Sequence, residues 1–438
     1  MSSNVAPKRS KLTTFSWALW DWAEQPYPTL MQTFIFPVYL VKSVGANVAN
    51  PDIWVGWATA IAGVILAVIA PVMGRRSDQS GRRKFWLLVN TAVLIGITAG
   101  SFFVEPKPEY FLLGLVLYGA GSVIQESAFI NYYAMLKGVT TDKNIGRISG
   151  YAWGLGYVGG IILLLIALVG FYLPGGHWFG MGEEDKINIR TMFLFAAGWM
   201  VIFTIPLALF VPEIERKPAK ARESIGESYR KLFKQIAGMR KTAPETLKFL
   251  IASAVYRDGL AGVFMFGAIL GTEAFDFSDI SIIFYGIAAN IVAAIGAAVG
   301  GRLDDAIGSR RVIAGALAGL SVGALAIFFL SGLGPITYWV FGLLLTLFVG
   351  PAQASSRTFV ARFTPEGREG EVFGLYQTAG RALSFLSSAM WALSITAANY
   401  FVGKDGNTIY GIWGIMAVVL VGLLLLLRVS PNPKPESF

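Results

Sequence analysis

Residues 74–84 read GRRSDQSGRRK, and residues 301–311, which lie 227 positions later, read GRLDDAIGSRR. Both stretches place a glycine, an aspartate and a second glycine at the same offsets, and a basic pair follows the second glycine in each. The residues concerned are Gly74, Asp78, Gly81, Arg82 and Arg83 in the first stretch and Gly301, Asp305, Gly308, Arg310 and Arg311 in the second. Self-similarity at half the chain length predicts two structurally related halves.

The repeated motif has a physical reason to occur at the end of a helix. Glycine permits a tight turn, and an aspartate there can cap a neighbouring helix or pair with an arginine. A bond that forms in one arrangement of the halves and breaks in another would bias a conformational equilibrium. We therefore interpret these motif residues as gating residues. The alternative, that the loops are only basic membrane anchors, stays open.

Long apolar runs surround both motifs. Of the 438 residues, 55% are hydrophobic and 14% are charged, whereas roughly a quarter of the residues in a soluble domain are charged. A span needs about 20 apolar residues, and helices satisfy the backbone polar groups in lipid. The sequence predicts an all-α integral membrane protein of twelve transmembrane helices in two six-helix, pseudo-symmetric bundles. The runs are 14–42, 53–73, 84–104, 110–136, 148–172, 190–211, 247–271, 279–300, 311–332, 335–356, 370–397 and 408–428.

A polar segment divides the spans into six and six. The predicted organisation is a tail (1–13), a bundle (14–211), a linker (212–246), a second bundle (247–428) and a tail (429–438). In the linker, apolar residues recur at helical spacing between basic ones, which is typical of an amphipathic helix on a membrane surface. Such a helix either tethers the halves while they move or is only a solvated connection.

Lysine and arginine are distributed unequally between the two sides of the predicted bundle. Of the 36 basic residues, 29 fall in tails and loops on one side, 5 fall on the other side, and 2 fall inside spans. Loops rich in these residues face the cytoplasm. We expect a multi-pass protein of a bacterial inner membrane with both termini in the cytoplasm. The same bias accounts for the net charge of +9 without a nucleic-acid partner.

The duplicated motif resembles the signature loop of the major facilitator superfamily, whose members have two six-helix repeats. Further stretches are similar to its vacuole-effluxer-like family, which includes a fungal vacuolar amino-acid exporter. They are WALWDWA at 17–23, GRISG at 146–150, YRDG at 256–259 and QASSRTFVARFTP at 353–365. The resemblance spans nearly the whole chain and implies a secondary transporter. The chain departs from it at EQPYP, residues 24–28, where the family usually has small polar residues.

Charged residues inside spans are costly and by default mark a site. The predicted spans hold Asp21, Glu24, Glu126, Arg257, Asp258 and Arg381. Asp21 and Glu24 share a helix face. Two close carboxyl groups in a poorly hydrated cavity do not both ionise easily, and a proton carrier needs this property. Pro26 and Pro28 follow them and should break the helix.

The remaining charges also have expected roles. We expect Asp258 to face the cavity, Arg257 to pair with an acid on another helix, and Arg381 to pair with Glu126 or Glu24. Arg381 could instead form a permanent structural salt bridge. Trp17 and Trp20, near the end of the first span, are expected to be interface anchors. The polar residues that complete the candidate binding and coupling site are Tyr27, Gln125, Asn131, Gln353 and Ser355.

Acids and arginines together suit a zwitterionic solute such as an amino acid. The predicted function is secondary active transport of a small polar solute, in the direction of efflux or uptake. The expected coupling ion is the proton, with sodium as the alternative, and we expect a monomer without a cofactor. A lipid, amphiphile or drug exporter of the same fold is the alternative function. An integral-membrane enzyme is disfavoured, because the chain has 1 histidine and no cysteine for catalytic or metal chemistry.

Overall fold

The computed structural model describes residues 10–172, 178, 182, 184–213, 225–403 and 407–431. Among these residues, 10 helices are long and apolar enough to cross a membrane, and two interrupted helices complete the twelve spans. Most of both predicted tails and residues 214–224 of the predicted linker lie outside the described residues. In chain order the spans are α1 Lys11–Ala23, α2 Pro51–Ser80, α3 Arg83–Gly100, α4 Phe111–Ala134, α5 Ile145–Ala167, α6 Ile187–Phe210, α7 Pro244–Phe275, α8 Asp279–Ile307, α9 Ser309–Phe329, α10 Leu343–Phe363, α11 Glu369–Ala382 and α12 Gly411–Leu426.

The first span is interrupted, as its prolines predict. A proline has no N–H group and its ring collides with the preceding turn, so regular α-helical hydrogen bonds cannot continue through Pro26 and Pro28. The chain passes them in wider π-helical turns, a form that often accompanies such breaks. The segments that continue the first span are Tyr27–Phe34, Phe36–Tyr39 and Leu40–Val44. The break leaves Glu24 buried at the end of α1.

An interruption in α11 contradicts the predicted continuous span 370–397. The first segment ends at Ala382 and a second segment runs Leu386–Phe401. Asp258 of α7 holds the new helix start: its Oδ2 accepts a hydrogen bond from the Ser387 N–H at 2.5 Å, and its main-chain oxygen accepts one from the Ser387 hydroxyl at 2.7 Å. A carboxylate at a helix N-terminus accepts hydrogen bonds from free N–H groups and interacts favourably with the helix dipole. Apolar run length alone could not reveal this break, because the stabilising carboxylate lies 129 positions away.

The two halves pack through two helix pairs, α2 against α11 and α5 against α8. Exchanging the halves converts one pair into the other, as the internal repeat predicts. Glycines allow the close approach: a Cβ atom on Gly74 would collide with the Gly370 main chain, and one on Gly301 would collide with the Gly146 main chain. Small residues of this kind let helices in membranes pack backbone to backbone.

One side of the bundle, here called the basic face, carries the repeated motifs. It is the side at which α1 begins, Gly81 joins α2 to α3, and Gly308 joins α8 to α9. Both glycines have a positive φ, 63° and 89°, which other residues rarely adopt. The amphipathic helix predicted in the linker is present on this side as Ile225–Thr242. Its Tyr229 hydroxyl donates to the Val68 main-chain oxygen of α2 at 3.3 Å.

Candidate functional site

Each repeated aspartate caps a helix of the opposite half at the basic face. The Asp78 carboxylate accepts hydrogen bonds from two N–H groups at the start of α11, both at 2.9 Å. The Asp305 carboxylate accepts hydrogen bonds from two N–H groups at the start of α5, both at 2.8 Å. These bonds pair the free N–H groups of the helix ends, and the negative charge interacts favourably with the helix dipole. The internal symmetry therefore repeats one contact, and both copies join the halves on the basic face.

Each capping aspartate also contacts an arginine. Arg83 lies 2.5 Å from Asp78 and 2.6 Å from Glu369, so this one arginine contacts two acids. In the second half the arginine is Arg362 of α10, which lies 2.5 Å from Asp304 and 3.2 Å from Asp305. The basic partner of Asp305 therefore comes from the end of α10 and not from the motif itself.

Other predicted gating arginines lie elsewhere. Arg310 donates to the main-chain oxygen of Leu427 at 2.6 Å, at the end of α12, and Arg311 donates to the Ile307 oxygen at 3.3 Å. Both bind helix ends of their own half, since α9 begins at Ser309 and packs against α12. Arg82 is exposed at the turn. The basic pair of the second half therefore lies away from the inter-half contact, and its gating role stays a prediction.

A buried ion pair lies between the halves, deeper than the capped helix ends. Arg357 of α10 is 1% exposed and Asp21 of α1 is 4% exposed, and Nη1 of the arginine lies 3.2 Å from Oδ2 of the aspartate. The Tyr132 hydroxyl donates to the same Oδ2 at 3.0 Å. Arg357 also donates to the Ser149 hydroxyl at 2.9 Å and to the Ser149 main-chain oxygen at 2.7 Å. One guanidinium group thus joins α10 to α1 and α5.

Aromatic rings enclose this guanidinium group. The Arg357 Cζ atom lies 5.1–5.5 Å from the ring centroids of Trp17, Tyr132, Tyr133 and Trp153. Cations over aromatic faces are attracted by the ring quadrupole. Trp17 and Trp20 are both 0% exposed. The Trp17 indole N–H donates to the Tyr132 main-chain oxygen and the Trp20 indole N–H donates to the Thr91 hydroxyl, each at 3.2 Å. The prediction that they are interface anchors is therefore wrong.

Arg357 is not among the site residues that the sequence predicts, because the predicted tenth span ends at residue 356 and places the arginine in the loop that follows. The structure continues α10 to Phe363. The apolar run TFVA at 358–361 was the available signal, because a helix that continues past a charge into apolar residues keeps that charge inside the bundle.

Glu24 is 2% exposed, and its contacts are with amides rather than cations. Gln125 Nε2 donates to Oε2 at 2.8 Å, and Gln25 Nε2 donates to Oε1 at 3.1 Å. Asp21 lies one helical turn away and is engaged with Arg357. The two carboxyl groups of the first span therefore have different surroundings, one paired with an arginine and one held by neutral donors.

A second polar cluster, here called the central cluster, joins α4 to α7 and α11. Glu126 contacts Arg381 in an ion pair and accepts a hydrogen bond from Gln377 Nε2 at 2.5 Å. Arg257 donates to Gln377 Oε1 at 3.0 Å, and its guanidinium lies 4.0 Å from the Tyr376 ring centroid. The side chain of Arg381 is 31% exposed and that of Glu126 is 17% exposed. The central cluster is thus more accessible than the Asp21–Arg357 pair.

The structure places Arg257 and Asp258 differently from their expected roles. Arg257 was expected to pair with an acid, but its hydrogen bonds go to the Tyr376 main-chain oxygen at 3.3 Å and to Gln377. It reaches Glu126 only through that glutamine. Asp258 was expected to face the cavity, but it is 7% exposed and caps the second segment of α11. The backbone break in α11 creates the donors that hold this carboxylate in place.

The remaining predicted residues lie within single halves. The Tyr27 hydroxyl donates to the Tyr118 main-chain oxygen at 3.1 Å, and Asn131 Oδ1 accepts from the Ser77 hydroxyl at 2.5 Å. Ser355 is buried at 1% exposure, and Gln353 is half-buried. Of the predicted polar residues, only Gln125 therefore contacts one of the intramembrane acids named above.

Twelve spans in two related halves, with capped helix ends and charges between them, define a transporter of the major facilitator type. Solved structures share this fold along nearly the whole chain. The proton:xylose symporter XylE, bound to a brominated deoxyglucose, matches with a TM-score of 0.70 and 12% identity, over 97% of this chain and 96% of that one. A bacterial homologue of the iron transporter ferroportin, in an outward-facing state, matches with a TM-score of 0.68 and 10% identity, over 96% of this chain and 99% of that one.

The sequence profile of the family described as "Vacuole effluxer Atg22 like" matches residues 137–434, and the chain belongs to this family. The MFS-type transporter YxiO of Bacillus subtilis (strain 168) is 24% identical over 430 residues, which cover 96% of this chain and 95% of that protein. A multi-drug resistance efflux pump PmrA homolog of Lactococcus lactis subsp. lactis (strain IL1403) is 26% identical over 192 residues, 42% of this chain and 40% of that protein. The protein is thus a multi-pass membrane transporter and not an enzyme.

Proposed function

We propose that the protein is a secondary active transporter that moves a small polar solute by alternating access, coupled to protons. The central cluster carries this proposal. It holds one acid and two arginines between the halves, and Arg381 keeps a side-chain exposure of 31%. Charges inside a membrane are costly to bury, and those that occur there usually mark a substrate or ion pathway. A solute that contacts α4, α7 and α11 together interacts differently with each arrangement of the halves, as alternating access requires.

The central cluster suits a zwitterion such as an amino acid. Arg257 and Arg381 can hold a carboxylate, and Glu126 can hold an ammonium group. A bound zwitterion would therefore break the ion pair between Glu126 and Arg381 and form an ion pair with each of these residues instead. Arginine is suited to this role because its planar fork binds carboxylates in two places. Gln377 forms hydrogen bonds with both Glu126 and Arg257. It would therefore hold the acidic and basic sides of the central cluster at a fixed separation.

Glu24 is the proposed proton carrier. A carboxyl group surrounded by neutral amide donors and excluded from water can hold a proton without losing an ion pair. Asp21 is less suited, because Arg357 lies 3.2 Å away and stabilises its charge. Gln125 links Glu24 to α4, the helix that also carries Glu126. Protonation of Glu24 can therefore affect the central cluster through this helix.

We further propose that the basic face is cytoplasmic, in a bacterial inner membrane, and that the transporter works as a monomer. The excess of lysine and arginine in loops on this face supports the orientation. With that orientation, contacts between the halves at Asp78 and Asp305 close the cytoplasmic side. The described arrangement then corresponds to an outward-facing state, the state named for the similar ferroportin homologue.

Purified protein in proteoliposomes tests this function. Amino acids, sugars and lipophilic cations would first be screened by thermal shift, and any stabilising solute would then be tested for uptake under an imposed pH gradient. We expect a zwitterionic solute to stabilise the protein and to accumulate when the gradient is present. Arg257→Gln should abolish the shift, whereas Arg428→Gln, at an exposed arginine after α12, should keep it.

Two other outcomes would redirect the proposal. Stabilisation by lipophilic cations alone would favour drug export, the activity named for the efflux-pump relative that matches part of the chain. Accumulation that follows a sodium gradient and ignores pH would replace the proton with sodium as the coupling ion.

A further inference from the structure

A groove of about 770 Å³ opens on the outside of the bundle, between α1, α5 and α8. It does not belong to the central cluster, because none of the residues of that cluster line it. Its walls come from both halves: Phe15 lies on α1, Val158 on α5 and Ile295 on α8. These three apolar side chains are 55%, 37% and 54% exposed. The volume is in the range of pockets that hold small ligands, about 300–1,000 Å³.

The end of the groove at the basic face is lined by basic side chains. Lys11 and Arg147 both line it and both are exposed. Arg302 lies next to it, with its guanidinium 5.5 Å from the ring centroid of the lining residue Tyr151. No acidic residue is among the lining residues in the described part of the chain. Asp305, which binds the Arg147 main chain, is itself paired with Arg362.

The depth of the groove matches one leaflet of a bilayer. From Arg147 to Val158 the groove follows α5 for eleven residues, which corresponds to about 16 Å at the rise of an α-helix. The hydrocarbon core of a bilayer is about 30 Å thick, so a leaflet contributes about half of that. A basic rim at the headgroup level and an apolar channel of leaflet depth together fit a molecule with an anionic head and an acyl chain.

We propose that this groove binds one anionic diacyl phospholipid from the leaflet on the basic face. Lys11 and Arg147 would hold the phosphate, and one acyl chain would lie against Phe15, Val158 and Ile295. Because α8 belongs to the other half, the lipid would bridge α5 and α8 where the Asp305 cap also joins them. A bound lipid would therefore stabilise the arrangement in which the halves touch at the basic face.

Native mass spectrometry of the full-length protein in detergent tests the proposal. Phosphatidylglycerol or phosphatidylcholine would be added at equal concentration, and the complex with one lipid would be quantified. We expect phosphatidylglycerol to be retained in preference to phosphatidylcholine. The double variant Lys11→Gln, Arg147→Gln should bind phosphatidylglycerol about 25-fold more weakly, from about fivefold for each basic residue near the headgroups. Arg428→Gln removes a basic residue outside the groove and should bind as the unmodified protein does.

A second variant separates the groove from simple charge attraction. Ala298 is half-buried and lines the apolar part of the groove. The variant Ala298→Trp would fill this part while leaving both basic residues in place, and the variant protein should also lose the bound lipid. Competition by glycerol phosphate, which has no acyl chain, should not displace the lipid. Equal retention of the two lipids, unchanged binding by the double-charge variant, or full displacement by glycerol phosphate would each overturn the proposal. Melting temperatures measured without added lipid would confirm that each variant is folded.

Discussion

Breaking the ion pair between Asp21 and Arg357 should separate the two halves at the basic face. Asp21 is 4% exposed and Arg357 is 1% exposed, so water cannot replace either partner while the halves touch. Asp21→Asn keeps the shape of the side chain and leaves the arginine charge buried without compensation. Removing one partner of a buried pair costs about 3–5 kcal/mol. We expect this cost to destabilise the arrangement in which the halves touch at the basic face. Separating α10 from α1 would let water reach Arg357 and would remove the cost.

The expected shift is large enough to measure directly. A change of about 3 kcal/mol alters the ratio of two conformations by about a hundredfold or more. Spin labels on cysteines at Lys143, just before α5, and at Ala306, near the end of α8, would report the separation of these helices. Both positions are exposed, and the chain has no cysteine of its own. Asp21→Asn should add a longer distance to the distribution measured by double electron–electron resonance.

Two further variants make the result specific. Asp52→Asn neutralises an exposed acid at the start of α2 and should leave the distances unchanged. Adding Arg357→Gln to Asp21→Asn removes the uncompensated charge and should restore part of the short-distance population. A folded Asp21→Asn protein with the same distance distribution as the unmodified protein would refute the idea that this pair holds the halves together.

Three further predictions concern coupling, the capped helix ends and topology. Glu24→Gln keeps the amide contacts but removes the proton site, so proton-driven accumulation should collapse while exchange at equal solute concentrations survives; retained accumulation with an unchanged pH profile would exclude Glu24 as the carrier. Asp78→Asn weakens the cap on α11 by about 1–2 kcal/mol and should slow transport more than it changes solute affinity in a binding assay, whereas an unchanged transport rate would leave the motif as an anchor only. A cysteine replacing Gly332, on the face opposite the basic face, should react with an impermeant maleimide added to intact cells and one replacing Asp142 should not; equal labelling would contradict the proposed orientation.

Features that depend on local chemistry could be predicted from the sequence. The apolar runs identified the spans, because lipid admits only helices whose backbone groups are satisfied internally. The interruption of the first span followed from Pro26 and Pro28, since a proline disrupts a helix wherever it lies in the interior. The repeated motif indicated two related halves, and the structure places its aspartates at equivalent positions in them. Each of these conclusions needs only neighbouring residues or a comparison of the chain with itself.

The partners of most charged side chains were decided by the tertiary structure, although the Arg381–Glu126 ion pair is one of the two pairings expected for Arg381 from the sequence. Asp78 caps a helix 292 positions away, and Arg357 meets Asp21 across 336 positions, so no local pattern could pair them. The break in α11 likewise depends on Asp258, which supplies the acceptor that the interrupted helix needs. Burial makes an unpaired charge costly, which explains why such residues find partners. The choice of partner depends on which helices the fold brings together, and helix packing alone sets that choice.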